Sequence, residues 1–304
     1  MIVQNVAAQG KTDISFTVPK NELAEAQNVI QPILNELGGQ MGAIDEDVSK
    51  VSVVGMGMAE QTGVASRMFR ALADADVNIQ MITTSEIKIS ALVPRHESLQ
   101  ALRIVHSEFQ LDQGITESSD FNFDPQQKTS IDAIDVIDRL QLIGMESLTI
   151  DDVILDDAQS RITVNRVPNQ PGIASAIFAK VAEQEIFVDM IVQSYAHDQY
   201  TDVSFTVPRL QCDAATKVAN QFKQDYGCDS VSSQENIAKL SVAGIGLRSH
   251  TGVALGTFEA LSQAGINVEM INTSEVRVNV VISGEEAEAG LACLKKYFSG
   301  SLKS

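Results

Sequence analysis

Three stretches of the sequence share one turn: EQTGVA at 60–65, PNQPGIA at 168–174 and SHTGVA at 249–254. In each, a glycine stands where an amphipathic run begins. Tight backbone approach, unpaired N–H groups and the positive end of a helix dipole then converge on one spot. Such a spot suits a carboxylate. Groups of complementary type follow downstream. Asn78 and Asn267 precede Met81-Ile82 and Met270-Ile271, and each stretch runs into Thr-Ser-Glu, at Thr84, Ser85, Glu86 and at Thr273, Ser274, Glu275. Asp189 and Gln193, with Gln4 as the copy of Gln193, hold matching places in a third stretch. Amides, hydroxyls and carboxylates on mainly apolar strands cost burial energy unless they are bonded. Together they offer acceptors to an ammonium and donors to a carboxylate, which is what a free amino acid needs. Strand hydrogen bonding is the alternative use of these groups, and a plain βα turn is the alternative use of each glycine.

Other chemistry is not signalled. The sequence has no GxxxxGK[ST] loop, no GxGxxG after a strand, no HExxH and no Cys/His metal spacing. Gly55, Gly57 and Gly63 miss the dinucleotide spacing, and His96, His106, His197 and His250 are far apart. We therefore expect no catalytic residue, metal or cofactor in this chain. A net charge of −18 with scattered basic residues argues against nucleic acid or an anionic membrane as partner. Cys212, Cys228 and Cys293 form no CxxC pair, and the N-terminus has neither basic leader nor long apolar run. Both features lead us to expect a cytoplasmic chain.

The elements that must position these residues recur. MIVQNVAAQGKTDISFTVP (1–19) returns as MIVQSYAHDQYTDVSFTVP (190–208), and 51–93 returns gap-free as 240–282. Both blocks share one offset (190 − 1 = 240 − 51 = 189), the mark of a duplicated unit. Within a unit a shorter layout repeats at 161–208 and 240–282: apolar strand, glycine turn, amphipathic helix, then a strand opening V-D-M-I or V-E-M-I. Val253, Ala254, Phe258, Leu261 and Ala264 recur at helical spacing, while Val203, Phe205 and Val207 alternate with polar residues as in a half-buried strand. The expected fold is α+β: tandem ferredoxin-like βαββαβ modules, antiparallel sheets with helices on one face, paired side by side. The expected divisions are a partial first module at 1–50, a second at 51–112, a linker with a short helix at 113–147, a third module with a preceding strand at 148–237, and a fourth at 238–304. The counterpart of 161–189 is absent ahead of Met1, so residues 1–50 are expected to be poorly ordered or completed by another chain.

These blocks resemble the regulatory region of aspartate kinases with tandem ACT domains. The resemblance rests on VDMIVQ (188–193), TDISFTVP (12–19), TDVSFTVP (201–208), GLRSHTGVA (246–254), NVEMINTSEVRV (267–278) and NIQMITTSEIKIS (78–90). It implies a chain that senses lysine, threonine or both, and that restrains an attached or partner kinase domain phosphorylating L-aspartate with ATP and Mg. The kinase K-F-G-G-T-S motif does not occur here, so ATP and Mg would belong elsewhere. It also implies a homodimer, and three effector sites. One would use Asn169, Gln170, Gly172, Ile173 and Ala174 with Gln193 and with Asn267-Val268. A second would use His250, Thr251, Gly252, Val253 and Ala254 with Val188-Asp189 and Thr273–Glu275. A third would use Gln61, Thr62, Gly63, Val64 and Ala65 with Gln4 and Thr84–Glu86. Asn169 stands where the family pattern is acidic. A stand-alone amino-acid-binding protein and a structural dimerisation module are the alternative readings.

Overall fold

The computed structural model describes residues 2–6, 12–55, 58, 63–85, 87–111, 149–195, 199–245, 251–274 and 276–300. The linker with its short helix expected at 113–147, and the candidate residues Gln61, Thr62, Glu86, His250 and Glu275, lie outside them, as does the Thr251 side chain. The first repeat supplies β1 (Ile2–Val6), β2 (Thr12–Phe16), α1 (Leu23–Leu37), β3 (Val48–Val54), α2 (Val64–Asp74), β4 (Met81–Ser85), β5 (Lys88–Pro94) and α3 (Ser98–Glu108). The second supplies β6 (Thr149–Pro168), α4 (Ile173–Glu183), β7 (Ile191–Gln193), β8 (Tyr200–Pro208), α5 (Cys212–Tyr226), β9 (Ser230–Ile245), α6 (Thr251–Gln263), β10 (Met270–Thr273), β11 (Arg277–Ser283) and α7 (Ala287–Phe298).

All strands join one antiparallel sheet in the order β2-β1-β10-β11-β9-β6-β8-β7-β4-β5-β3. β6 and β9 are long because each serves two modules. The second half of β6 pairs with β8 and with the start of β9, building module three. Its first half pairs with the end of β9, which goes on to β11 and β10, building module four. The strand expected near 148–155 is thus the fourth strand of the last module.

Because β6 and β9 hold modules three and four end to end, their outer strands, β7 and β10, point to opposite sides. Each finds its partner in the first repeat. β7 pairs with β4 (Ile82↔Gln193, Thr83↔Val192) and β10 with β1 (Ile271↔Gln4, Asn272↔Val3). Adding 189 to the β4 residues and subtracting it from the β7 residues turns one register into the other, so a pseudo-twofold axis runs through the chain. The two seams, β4 with β7 and β1 with β10, are thus related to each other within one chain.

The helices cover one face of the sheet over two apolar clusters. One is centred on Phe69, Phe178, Phe205 and Phe222, the other on Leu240, Val242, Leu261 and Leu294. A third cluster contains strand-side residues alone, including the repeat-related pairs Val3/Val192, Met81/Met270 and Leu92/Val281. The helix-free faces of the two halves therefore meet across the axis. Polar groups share this interior. Arg161 donates to Glu269 at 2.7 Å and to Gln234 at 2.8 Å, and Lys239 pairs with Asp189. These two ion pairs are reciprocal: each joins the base opening the first strand of one module to the acid opening the second strand of its neighbour.

In the N-terminal half-module β1 is zipped to β10. An edge strand and an apolar face are exposed there. β2 ends the sheet, no residue of α1 is buried, and Ile14, Phe16, Val29, Ile33 and Leu37 are exposed.

Candidate functional site

The seam between modules two and three carries a local twofold of its own, with an offset of 109 (172 − 63 = 182 − 73 = 178 − 69). Phe69 and Phe178 meet on it, ring centroids 5.6 Å apart. Gly63 and Gly172 both have φ 86°, the left-handed conformation that glycine adopts without steric cost. Each glycine also sits against the helix of the other module. A Cβ on Gly172 would lie 3.8 Å from the Ala73 Cβ, and one on Gly63 4.0 Å from the Ala182 Cβ.

The two turns open two clefts. In the first, the 169–174 turn faces Asn78 and Ile79. Asn78 Nδ2 donates to Asn169 Oδ1 at 3.1 Å, and Gln193 Nε2 donates to the Ile79 carbonyl at 3.1 Å. The helical ladder begins with Ala176 N–H to Gly172 O at 2.8 Å, so the N–H groups of Ala174 and Ser175 precede it at the helix mouth. Both residues line the cleft. In the second cleft Gly63, Val64 and Ala65 face Val188 and Asp189, with Thr84 and Ser85 on the floor. There the ladder begins with Arg67 N–H to Gly63 O at 2.9 Å. Thr84 Oγ1 accepts from Ile191 N–H at 2.8 Å, pinning β7 to β4.

Among the described residues lining the first cleft there is no charged side chain, and in the second Asp189 alone is charged. Its carboxylate is already engaged by Lys239. Each cleft thus offers helix N–H donors for a carboxylate, together with side-chain amides or hydroxyls, and the second adds a mainly apolar wall for the rest of a small ligand.

The groupings differ from those expected. The 169–174 turn and Gln193 meet Asn78-Ile79, not Asn267-Val268. Val188-Asp189 meets the Gly63 turn with Thr84 and Ser85, not the turn at 250–254. Gln4 meets Val268, donating Nε2 to its carbonyl at 2.8 Å, and not the Gly63 turn. The physical reason is the shared strands. A duplicated sequence leaves open which copies pair, and the end-to-end hold of β6 and β9 forces crossed pairing, two with three and one with four.

The seam between modules one and four repeats the same bonds. Gln4 to Val268 copies Gln193 to Ile79, and Ile2 N–H to Thr273 Oγ1 at 3.0 Å copies Ile191 to Thr84. On its other side, Gly252, Val253 and Ala254 lie in the first turn of α6, and Thr273 closes β10 with Ser274 following it.

Sequence reasoning missed Phe69, Phe178, Arg161 and Lys239. A signal for the last two existed: R-I-T-V and K-L-S-V place a base at the same step of two equivalent strands. The aromatic pair had none, because a helix-face phenylalanine reads as ordinary core.

The ACT-domain family model matches residues 51–109, 162–221 and 240–298, more than half of the chain. An aspartate kinase of Pseudomonas fluorescens is 39% identical over 155 residues, 51% of this chain and 38% of its own length. An aspartokinase of Helicobacter pylori is 39% identical over 150 residues, 49% of this chain and 36% of its own length. The structure of aspartate kinase from Synechocystis superposes on 100% of this chain and 49% of its own, with TM-score 0.81 and 28% identity. The chain therefore spans less than half the length of each of these relatives. Among the described residues no helix is long and apolar enough to cross a membrane. With three matched modules and a superposition over its full length, the chain belongs to the ACT-domain family, with aspartate kinases as its relatives.

Proposed function

We propose that this chain is the allosteric regulatory region of an aspartate kinase, and that lysine, threonine or both bind in the clefts between paired ACT modules. Binding would favour one arrangement of the modules and so inhibit ATP-dependent phosphorylation of L-aspartate by a catalytic domain or subunit. A coupling of about 1–3 kcal/mol is the usual scale for such control. One observation carries the reading. Two glycine turns, each at a helix mouth, face strand-end polar groups across a seam that is twofold in sequence, conformation and hydrogen bonding.

Titration calorimetry against lysine, threonine, methionine and aspartate tests it. Saturable binding of lysine or threonine, with two sites per chain at the second–third seam, is expected. A folded protein giving no heat with any of them would overturn the reading.

A further inference from the structure

Asn272 lies in module four, on the β1–β10 seam, yet its side chain serves the other seam. It is 1% exposed; its Nδ2 donates to the carbonyl of Thr84, and its Oδ1 accepts from Thr83 Oγ1 at 2.6 Å. Thr84 floors the second cleft and accepts from Ile191 N–H, the bond that pins β7 to β4. One buried amide from the opposite repeat thus fixes the backbone on which a cleft residue stands. The brace is one-sided. Thr273, the copy of Thr84, accepts from Ile2 N–H in the same way. The residue placed to brace it is Thr83, whose hydroxyl proton is already given to Asn272 and which has no amide to offer.

Two further observations give the brace a consequence. The β1–β10 ladder pairs Val3 with Asn272 and Gln4 with Ile271, so a shift of Asn272 acts on it directly. Asn279, opposite Asn272 in the β10–β11 ladder, keeps a buried Oδ1 without a partner among the described residues. Side chains directly opposite in an antiparallel pair lie within contact of each other. This oxygen is therefore an alternative acceptor for the Asn272 amide.

We propose that Asn272 is a positioning residue for the second cleft, and that a ligand engaging Thr84 there turns this amide to Asn279 and shifts the β1–β10 seam. One side chain with two stations then couples the seams, the kind of two-state element that coupling between sites requires. The positioning stands on the geometry alone; the coupling to ligand rests on the amino-acid-binding reading.

The test exchanges the two groups on the axis, in the variant Thr83→Asn with Asn272→Thr, which retains one amide and one hydroxyl there. Amide hydrogen exchange of the full chain should quicken at Ile191 by about tenfold, the scale of one lost hydrogen bond, and slow at Ile2. Unchanged exchange at Ile191 overturns the proposal. In the parent chain, saturating lysine or threonine should alter exchange at 2–6 as well as at Ile191. Asn279→Leu should remove the effect at 2–6 while binding persists. An effect at 2–6 that survives Asn279→Leu overturns the coupling. Calorimetry showing no binding by the parent chain overturns the amino-acid reading and the coupling with it, and leaves the positioning to be decided at Ile191.

Discussion

Thr83 and Asn272 stand one repeat length apart (272 − 83 = 189) and touch, the threonine Oγ1 donating to the asparagine Oδ1 at 2.6 Å. Asn272 Nδ2 in turn donates to the Thr84 carbonyl. Equivalent positions can meet only on a symmetry axis, so this bond marks where the two repeats turn about each other.

Replacing Thr83 by Val leaves the buried Asn272 oxygen without its donor and should cost about 1–3 kcal/mol. Adding Asn272→Leu should cost less than the sum of the two single changes, because both members of the bond are then gone. Urea unfolding of the four proteins reads the cycle. Strict additivity would mean the bond contributes nothing.

Gly172→Ala forces a side chain into a φ of 86° and should lower stability by roughly 1–2 kcal/mol. The strain falls on the turn that opens the first cleft, so ligand affinity at the second–third seam should fall more than at any site elsewhere. Gly227→Ala, at φ 68° with open space around it, carries the same backbone strain away from the seam. A Gly172 variant binding amino acids as well as the Gly227 variant would count against the cleft.

Lys239 and Asp189 form a nearly buried pair, 10% and 12% exposed at the side chain. Lys239→Met strands the carboxylate and should cost about 3–5 kcal/mol, whereas Lys239→Met with Asp189→Leu should recover most of the loss. Thermal unfolding distinguishes this from a pair held by packing alone, where the double variant would be no better than the single.

Tyr195 donates its hydroxyl to Asp45 Oδ2 at 2.6 Å, and its pKa is raised, first by burial and then by that carboxylate. The unfolded tyrosine ionises near pH 10. As pH rises through that value the unfolded chain loses its proton while the folded chain keeps it, so stability falls from about pH 10 upward. Tyr195→Phe should flatten this part of the stability profile. An unchanged slope in the variant would show that Tyr195 does not titrate with folding.

The modules were legible in the sequence because each glycine turn opens a helix and each V-x-M-I run opens a strand, and both patterns survive duplication. The polar positions Gln4, Gln193, Thr84 and Thr273 were likewise readable, and all four make seam hydrogen bonds. Their partners were not. Gln193 bonds Ile79 and Gln4 bonds Val268 because β6 and β9 each run through two modules. A linear sequence shows such a strand only as an unusually long extended stretch. Arg161 and Lys239 illustrate the same limit: bases before apolar runs read as strand-end surface groups until the sheet curls and encloses them.

The bond between β1 and β10 has a consequence for how the molecule comes to exist. Val3 pairs with Asn272, so the first strand closes a loop spanning most of the chain. Closing long loops is entropically costly and slow. During synthesis the first strand must wait, unpaired at its seam edge, until module four has emerged, while modules two and three can already join through β4 and β7. The β4–β7 seam can therefore form before the β1–β10 seam closes.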